Sequence, residues 1–367
     1  MQKISVGAPD AGQRLDKFLL KFFKEADKGF LYKMLRKKNI TLNGKKADGS
    51  EKLAAGDELT FFFARETFEK FRGVPSAVGP AGMTGAATEK AAAGKAAPAA
   101  AAPAKTAAPK LRVVFEDEHV LFADKPAGLL TQKAKPEDVS LNDLIAAYLA
   151  EQGENTSLTF SAGTANRLDR NTSGLVAAGK TLAGQQLLTA LLRERLIEKY
   201  YWCIVGGKLS APLHLKQYYA KDEASNTAQL SDTPFPGAQT AELEAVPIAV
   251  LDDGFTLLRV HLITGRTHQI RAQLAAAGHP VLGDGKYGDR ELNRAFAEAH
   301  GYALRHQLLH AREMHFPTPA EGAAATLGLS ETAAAEWQVL AGKTVSAPLP
   351  ASFKTCLKLL GGEAYGK

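Results

Sequence analysis

Asn166-Arg167-Leu168-Asp169-Arg170-Asn171-Thr172-Ser173-Gly174-Leu175-Val176 sets one carboxylate between two arginines, directly before a polar turn and an apolar run. Flanking positive charge favours the anionic form of a carboxylate. In isolation such an acid is most simply a surface ion pair, which contributes little. It becomes a candidate for chemistry when other segments supply partners.

Two segments do. Thr264-Gly265-Arg266-Thr267-His268-Gln269-Ile270-Arg271 crowds polar residues after a strand-like run. Gly265 permits a tight turn there, and a helix should follow through Leu274. Ordinary polar caps at a helix start are the plainer explanation. Glu198-Lys199-Tyr200-Tyr201-Trp202-Cys203-Ile204-Val205 is aromatic and β-branched, so it reads as a strand. A buried tyrosine in such a strand is more often core than catalyst. Around these segments, Arg112 to Phe115, His119 to Ala123, Thr240 to Val246 and Phe255 to Ile263 read as strands. Leu141 to Leu149 and Leu182 to Leu196 have helical spacing, and Lys125-Pro126-Ala127-Gly128 reads as a sharp turn. Strands with a few interspersed helices predict an α+β fold with a mixed, largely antiparallel sheet.

Together these segments resemble the RluA-type pseudouridine synthases. That family usually reads His-Arg-Leu-Asp-Arg and then Thr-Ser-Gly. Asn166 stands here in place of the His and can still hydrogen-bond. The stretch from Thr264 to Arg271 matches a second family motif almost letter for letter. The third motif is Lys, any residue, Tyr, then a short strand into glycine; Lys199-Tyr200-Tyr201 through Gly207 fits it, with Tyr200 in the free position. Lys125 to Gly128, Gly278-His279-Pro280, Gly283 to Gly288, Leu309-His310-Ala311 and Pro348-Leu349-Pro350 continue the likeness. Residues 321–347 are longer and richer in Ala than expected there.

The resemblance implies that Asp169 is the catalytic carboxylate and that Arg271 pairs with it. A guanidinium fork can hold a carboxylate bidentately and keeps its charge. It also implies that the Tyr201 ring packs on uracil while its hydroxyl assists proton transfer. Arg167, Arg170, Arg266 and His268 are expected to contact RNA. The implied reaction isomerises uridine in RNA to pseudouridine. Nothing is oxidised and no group leaves the RNA, so neither cofactor nor metal is expected. The carboxylate could serve as nucleophile or as base, and the target base must leave its stack to reach it.

Residues 1–72 read as a small basic unit. Leu15, Phe18, Leu19, Phe22 and Phe23 fall at helical spacing between Gln13 and Lys24, and a second helix is expected from Lys28 to Lys38. A strand then enters the Asn43-Gly44 turn, and Glu58 to Phe63 reads as the last strand. Lys33, Arg36, Lys37, Lys38, Lys45 and Lys46 would converge on phosphates if helix and turn share a face. The order of elements, opened by Arg14-Leu15-Asp16-Lys17, resembles the small RNA-binding domain named after ribosomal small-subunit protein four, which adds Arg14 and Lys17 to the expected RNA contacts.

Sixteen of the 38 residues from 73 to 110 are Ala and none is aromatic, so this stretch reads as a linker unable to bury a core. Residues 111–367 would then be the catalytic domain. The net charge of +6 and pI near 9.1 favour a polyanionic partner. Cys203 and Cys356 lie far apart and form no metal-binding pair. No apolar run approaches a membrane span. The expectation is a cytoplasmic monomer acting on structured RNA, most simply large-subunit ribosomal RNA. A non-catalytic RNA-binding assembly factor shares the basic first unit. A glycosidase-like hydrolase would need two cooperating carboxylates.

Overall fold

A computed structural model describes residues 1–72, 110–153, 157–223 and 225–366. The chain divides into two compact units, Met1–Lys110 and Leu111–Lys367. Apart from Lys110, the expected linker over residues 73–110 lies outside the described residues.

In the first unit β1 (Gln2–Ser5) precedes α1 (Leu15–Phe22) and α2 (Lys28–Arg36). Then come β2 (Ile40–Leu42), β3 (Lys45–Lys46), β4 (Glu58–Phe61) and α3 (Arg65–Arg72). The sheet runs β1-β4-β2-β3, antiparallel at each pairing. The second helix stops two residues short of Lys38, which takes φ 58° and cannot continue it. Asn43 and Gly44 both adopt positive φ, as a two-residue hairpin turn requires. Phe18, Phe22, Phe23, Phe61 and Phe68 fill the core, several ring pairs meeting edge to face. The sequence reading missed β1, which completes the sheet against β4, and α3, whose Phe68 closes this core.

The second unit opens with the β5 (Val113–Glu116) and β6 (Val120–Lys125) hairpin. It continues through α4 (Leu141–Glu151), β7 (Gly163–Thr164), β8 (Ser173–Gly179), α5 (Leu182–Arg193) and β9 (Glu198–Gly206). Next come β10 (Leu213–Asp222), β11 (Thr227–Ser231), β12 (Gln239–Val250), β13 (Phe255–Leu262) and α6 (Gln269–Ala276). The unit closes with α7 (Arg290–His300), β14 (Leu309–His315), α8 (Ala323–Thr326), α9 (Glu331–Leu340), β15 (Thr344–Ser346) and α10 (Ala351–Leu359). The sheet order is β11-β10-β12-β13-β9-β14-β8-β6-β5, with β15 on β14 and β7 on β8. Among the described strands only β14 and β8 pair in parallel, so the fold is the α+β class with a mixed, largely antiparallel sheet.

Alternation along β9 sorts its side chains between two cores. Tyr201, Cys203 and Val205 enter the core shared with Leu262, Ile270 and Leu309. Ile204 faces the other core, with Phe353 and Leu357 of α10. Each fully buried Leu in these layers contributes about 1.5–3 kcal/mol relative to exposure. Residues 321–347, which looked foreign in sequence, supply α9 and β15. Trp337 and Val345 from them complete a third core with α5. The helix expected to reach Leu196 ends at Arg193, because Arg195 takes φ 57°. No helix among the described residues is long and apolar enough to cross a membrane.

Candidate active site

At the start of β8, Thr172, Ser173 and Gly174 each have a packing reason. Gly174, at φ 110°, lies so close to β14 that a Cβ there would come 2.2 Å from Ala311 O. Ser173 Oγ lies 2.9 Å from His310 Nδ1, and Thr172 Oγ1 accepts from Gln307 Nε2 at 3.1 Å. Thr172 N donates to Asp169 O, closing the turn that carries the acid. On the other side, Thr131 Oγ1 donates to Leu168 O at 2.9 Å and accepts from Leu168 N at 3.1 Å. Lys125, fully buried, donates to Pro126 O, Leu129 O and Arg170 O at 2.8–3.0 Å. Burial pulls its ammonium down to about 7, against the attraction of Asp169 and Asp124. Those three carbonyls use all three protons of the charged form. Asn166 Oδ1 accepts from Ala177 N at 2.8 Å, so this residue braces the backbone of β8.

Asp169 is thus clamped from both sides at the edge of a cleft. Arg167, Tyr201, Arg266, His268 and Arg271 line the same cleft. Arg271, on the first turn of α6, donates from Nη1 to Asp169 Oδ2 at 2.9 Å. The bidentate fork expected for Asp169 goes elsewhere. Nε and Nη2 donate to Asp284 Oδ2 and Oδ1 at 2.7 and 2.8 Å. Asp284 is fully buried and also accepts from the Lys286 and Tyr287 amides. Burial raises the Asp284 pKa, but the Arg271 fork and these amides outweigh it and hold the carboxyl below its ordinary value. Burial likewise opposes the Arg271 charge, and the two carboxylates more than offset it. The arginine therefore takes its orientation from Asp284 and presents its remaining N–H edge to Asp169.

Tyr201 reaches the cleft from the middle of β9. Burial, with Asp169 adding, pushes its phenol far above the ordinary value, so the hydroxyl stays protonated. It has no hydrogen-bond partner among the described residues. Tyr200, one residue earlier, points to the opposite face of the sheet, where the Arg259 guanidinium lies 3.5 Å from its ring centroid.

The turn before α6 is built by Gln269, whose Oε1 accepts from Thr264 Oγ1 and Arg266 N. His268 occupies the N-cap position at φ 58° and makes no capping bond. Its Nδ1 lies 3.1 Å from Tyr287 Oη, and burial pulls its imidazole below the ordinary value against the attraction of Asp169. Arg266 Nε donates to Thr240 O. Arg170 is exposed and lines a second cavity with Lys286 and Arg305, on which Asp169 also borders. Of the remaining expected RNA contacts, all in the first unit, Arg14 is exposed but pairs with Asp16. Lys17, Lys33, Arg36, Lys37, Lys38, Lys45 and Lys46 are exposed and have no ion-pair partner among the described residues.

Asp284, Lys125 and Thr131 were not foreseen as parts of the site. In sequence Asp284 falls in the Gly283 to Gly288 stretch, which continues the family likeness without pointing to a role for the acid. No group of three or more His, Cys, Asp or Glu side chains among the described residues could hold a metal ion.

Residues 119–276 match the family model for RNA pseudouridylate synthase. The chain is 31% identical over 311 residues to an uncharacterized RNA pseudouridine synthase of Mycoplasma pneumoniae, spanning 83% of this chain and 84% of that protein. It is 29% identical over 330 residues to ribosomal large subunit pseudouridine synthase C of Escherichia coli K12, spanning 87% and 89%. The Salmonella typhimurium protein of the same name aligns at 29% over 368 residues, 97% and 96% of the two chains. Human RNA pseudouridylate synthase domain containing 4 superposes with a TM-score of 0.50 at 19% identity, covering 67% of this chain and 92% of that one, which shows the fold.

Proposed function

The chain belongs to the RluA-type RNA pseudouridine synthases, and from that premise we propose that it converts specific uridines of large-subunit ribosomal RNA to pseudouridine, with Asp169 as the catalytic carboxylate. The observation that carries the assignment is a carboxylate clamped at a cleft, 2.9 Å from an arginine N–H and sharing that cleft with a buried tyrosine. In the isomerisation the bond from ribose C1′ to uracil N1 breaks, the base turns, and C5 bonds to C1′. C5 gives up its proton and N1 gains one. Attack on C1′ and removal of the C2′ proton both need an anionic carboxylate held in one orientation, and Arg271 supports that orientation. Tyr201 offers a flat ring for uracil and a hydroxyl that burial keeps as a donor.

A uracil placed there has left its stack. Arg167, Arg266 and His268 at the cleft, with Arg170 beyond it, are suited to the flanking backbone. The first unit is proposed as a separate RNA anchor over residues 1–72, joined by the linker to a catalytic domain over residues 111–367. Its Arg14, Lys17, Lys33, Arg36, Lys37, Lys38, Lys45 and Lys46 would supply affinity through phosphates. The names of the Escherichia coli and Salmonella relatives support ribosomal over transfer RNA.

Carbodiimide-blocked primer extension on RNA from a deletion strain tests the reading. Specific stops in large-subunit RNA should vanish on deletion and return with the parental gene. An unchanged set of stops in all cellular RNA would overturn it.

A further inference from the structure

A groove of about 450 Å³ adjoins the cleft and is lined by Arg193, Arg195 and Lys199 together with Arg167 and Arg266, with Tyr201 lining both. No carboxylate lines it. Arg193 is paired with the exposed Glu194. Neither Lys199 nor Arg195 has an ion-pair or side-chain hydrogen-bond partner among the described residues.

Two features set these cations apart from solvated surface charge. Lys199 is half-buried, and burial, with Arg195 adding, pulls its pKa down. A desolvated ammonium without an acceptor is costly unless something outside the chain supplies one. Arg195 follows the last turn of α5 at φ 57°. Glycine is the usual residue at that position, because it takes positive φ without strain. Here an arginine occupies it and turns toward the groove.

Geometry relates the groove to the target base. Lys199 and Tyr201 are two residues apart on β9, so they project from one face of the strand about 7 Å apart. An extended RNA strand covers that distance in about one nucleotide. We propose that Lys199 and Arg195 form a phosphate subsite for the RNA backbone one nucleotide from the uridine that stacks on Tyr201. This rests on the RNA reading above and adds to it a direction of approach, from the α5–β9 side. The subsite fixes where the strand enters, while Asp169 performs the chemistry.

The test uses the full-length protein and an unmodified transcript of large-subunit ribosomal RNA. Binding is measured over a range of salt concentrations, and single-turnover rates at saturating RNA. Lys199→Met should weaken binding about tenfold and make the log–log salt slope shallower by about 0.7–0.9, the loss of one phosphate contact. The saturating rate should stay within threefold, and Lys199→Arg should restore the slope. Arg195→Gly should lose a similar increment of slope while its melting temperature holds or rises, a combination that a merely structural arginine would not give. Lys354→Met, at an exposed position on α10, should match the parent. A parental slope in both Lys199→Met and Arg195→Gly would overturn the subsite. So would a Lys199→Met variant whose rate falls with affinity unchanged, which would make Lys199 a support for Tyr201. If the parent forms no pseudouridine in any RNA, the reaction assignment falls instead, and the salt slopes still report on the groove.

Discussion

Arg271 donates to two carboxylates, and the same substitution on each should have opposite consequences. Asp284→Asn removes the charge that takes two N–H bonds at 2.7 and 2.8 Å, from a side chain with no exposure. It leaves a buried guanidinium with one charged partner. Breaking a buried pair from one side costs about 3–5 kcal/mol. At about 2–4 °C per kcal/mol for a domain of this size, the melting temperature should fall by roughly 6–20 °C. Asp169→Asn removes one charged acceptor at 2.9 Å from a side chain that is 23% exposed. The amide oxygen can still accept from Nη1 at this partly exposed site, so the cost is about 1 kcal/mol, a shift of a few degrees, yet it should end turnover. Thermal unfolding followed by circular dichroism, beside single-turnover assays on the same preparations, separates the two. A parental melting temperature for Asp284→Asn would refute the claim that this buried pair orients the arginine.

Three further outcomes follow from the same contacts. Arg271→Lys keeps one positive charge but cannot serve both carboxylates in a plane, so activity should drop at least tenfold despite the retained charge; equal rates would make Arg271 an ordinary helix-start residue. Gly174→Ala puts a Cβ against Ala311 O and should destabilise by more than about 3 kcal/mol or prevent folding, read as loss of soluble protein. Glu336 is buried on α9, and burial together with the Asp117 carboxylate raises it to about 8. The folded state then holds a proton that the unfolded chain releases near pH 4–5, so this contribution is whole below that range. It declines by up to about 1.4 kcal/mol per pH unit as pH rises toward 8, and is gone above it. Denaturant titrations from pH 5 to 9 should show that decline in the parent and a flatter profile in Glu336→Gln; identical profiles would reject it.

What could be read from the chain divides along physical lines. Asp169, Tyr201 and Arg271 were singled out by the resemblance to family motifs, since the residue types alone also fit a surface ion pair, a core tyrosine and a helix-start arginine; the structure sets all three around one cleft. The strand that carries Tyr201 was visible from its aromatic and β-branched residues, while the choice of Tyr201 over Tyr200 came from the motif and not from alternation. Asp284 was not legible, because its burial depends on where the loop lands and not on its glycine neighbours. The Arg271 fork could be anticipated, but its partner could not, since two acids compete for it only in the folded chain. Strands β10 and β11 carry polar residues on an exposed face, which weakened their signal. The four-residue β1 is shorter than any pattern window and is held by β4. Helix α9 is Ala-rich, so propensity alone did not show that Trp337 anchors it.

Under the proposed function Asp169 carries out the isomerisation. Because C5 of uracil loses its hydrogen when it bonds to C1′, RNA carrying tritium at uracil C5 releases one tritium to water per event. Purified parent and Asp169→Asn, with binding to the same RNA measured alongside, give the direct comparison. Release by the parent, none by Asp169→Asn, and affinity within a few-fold is the predicted result. Tritium release by Asp169→Asn free of contaminating enzyme would remove Asp169 from the chemistry.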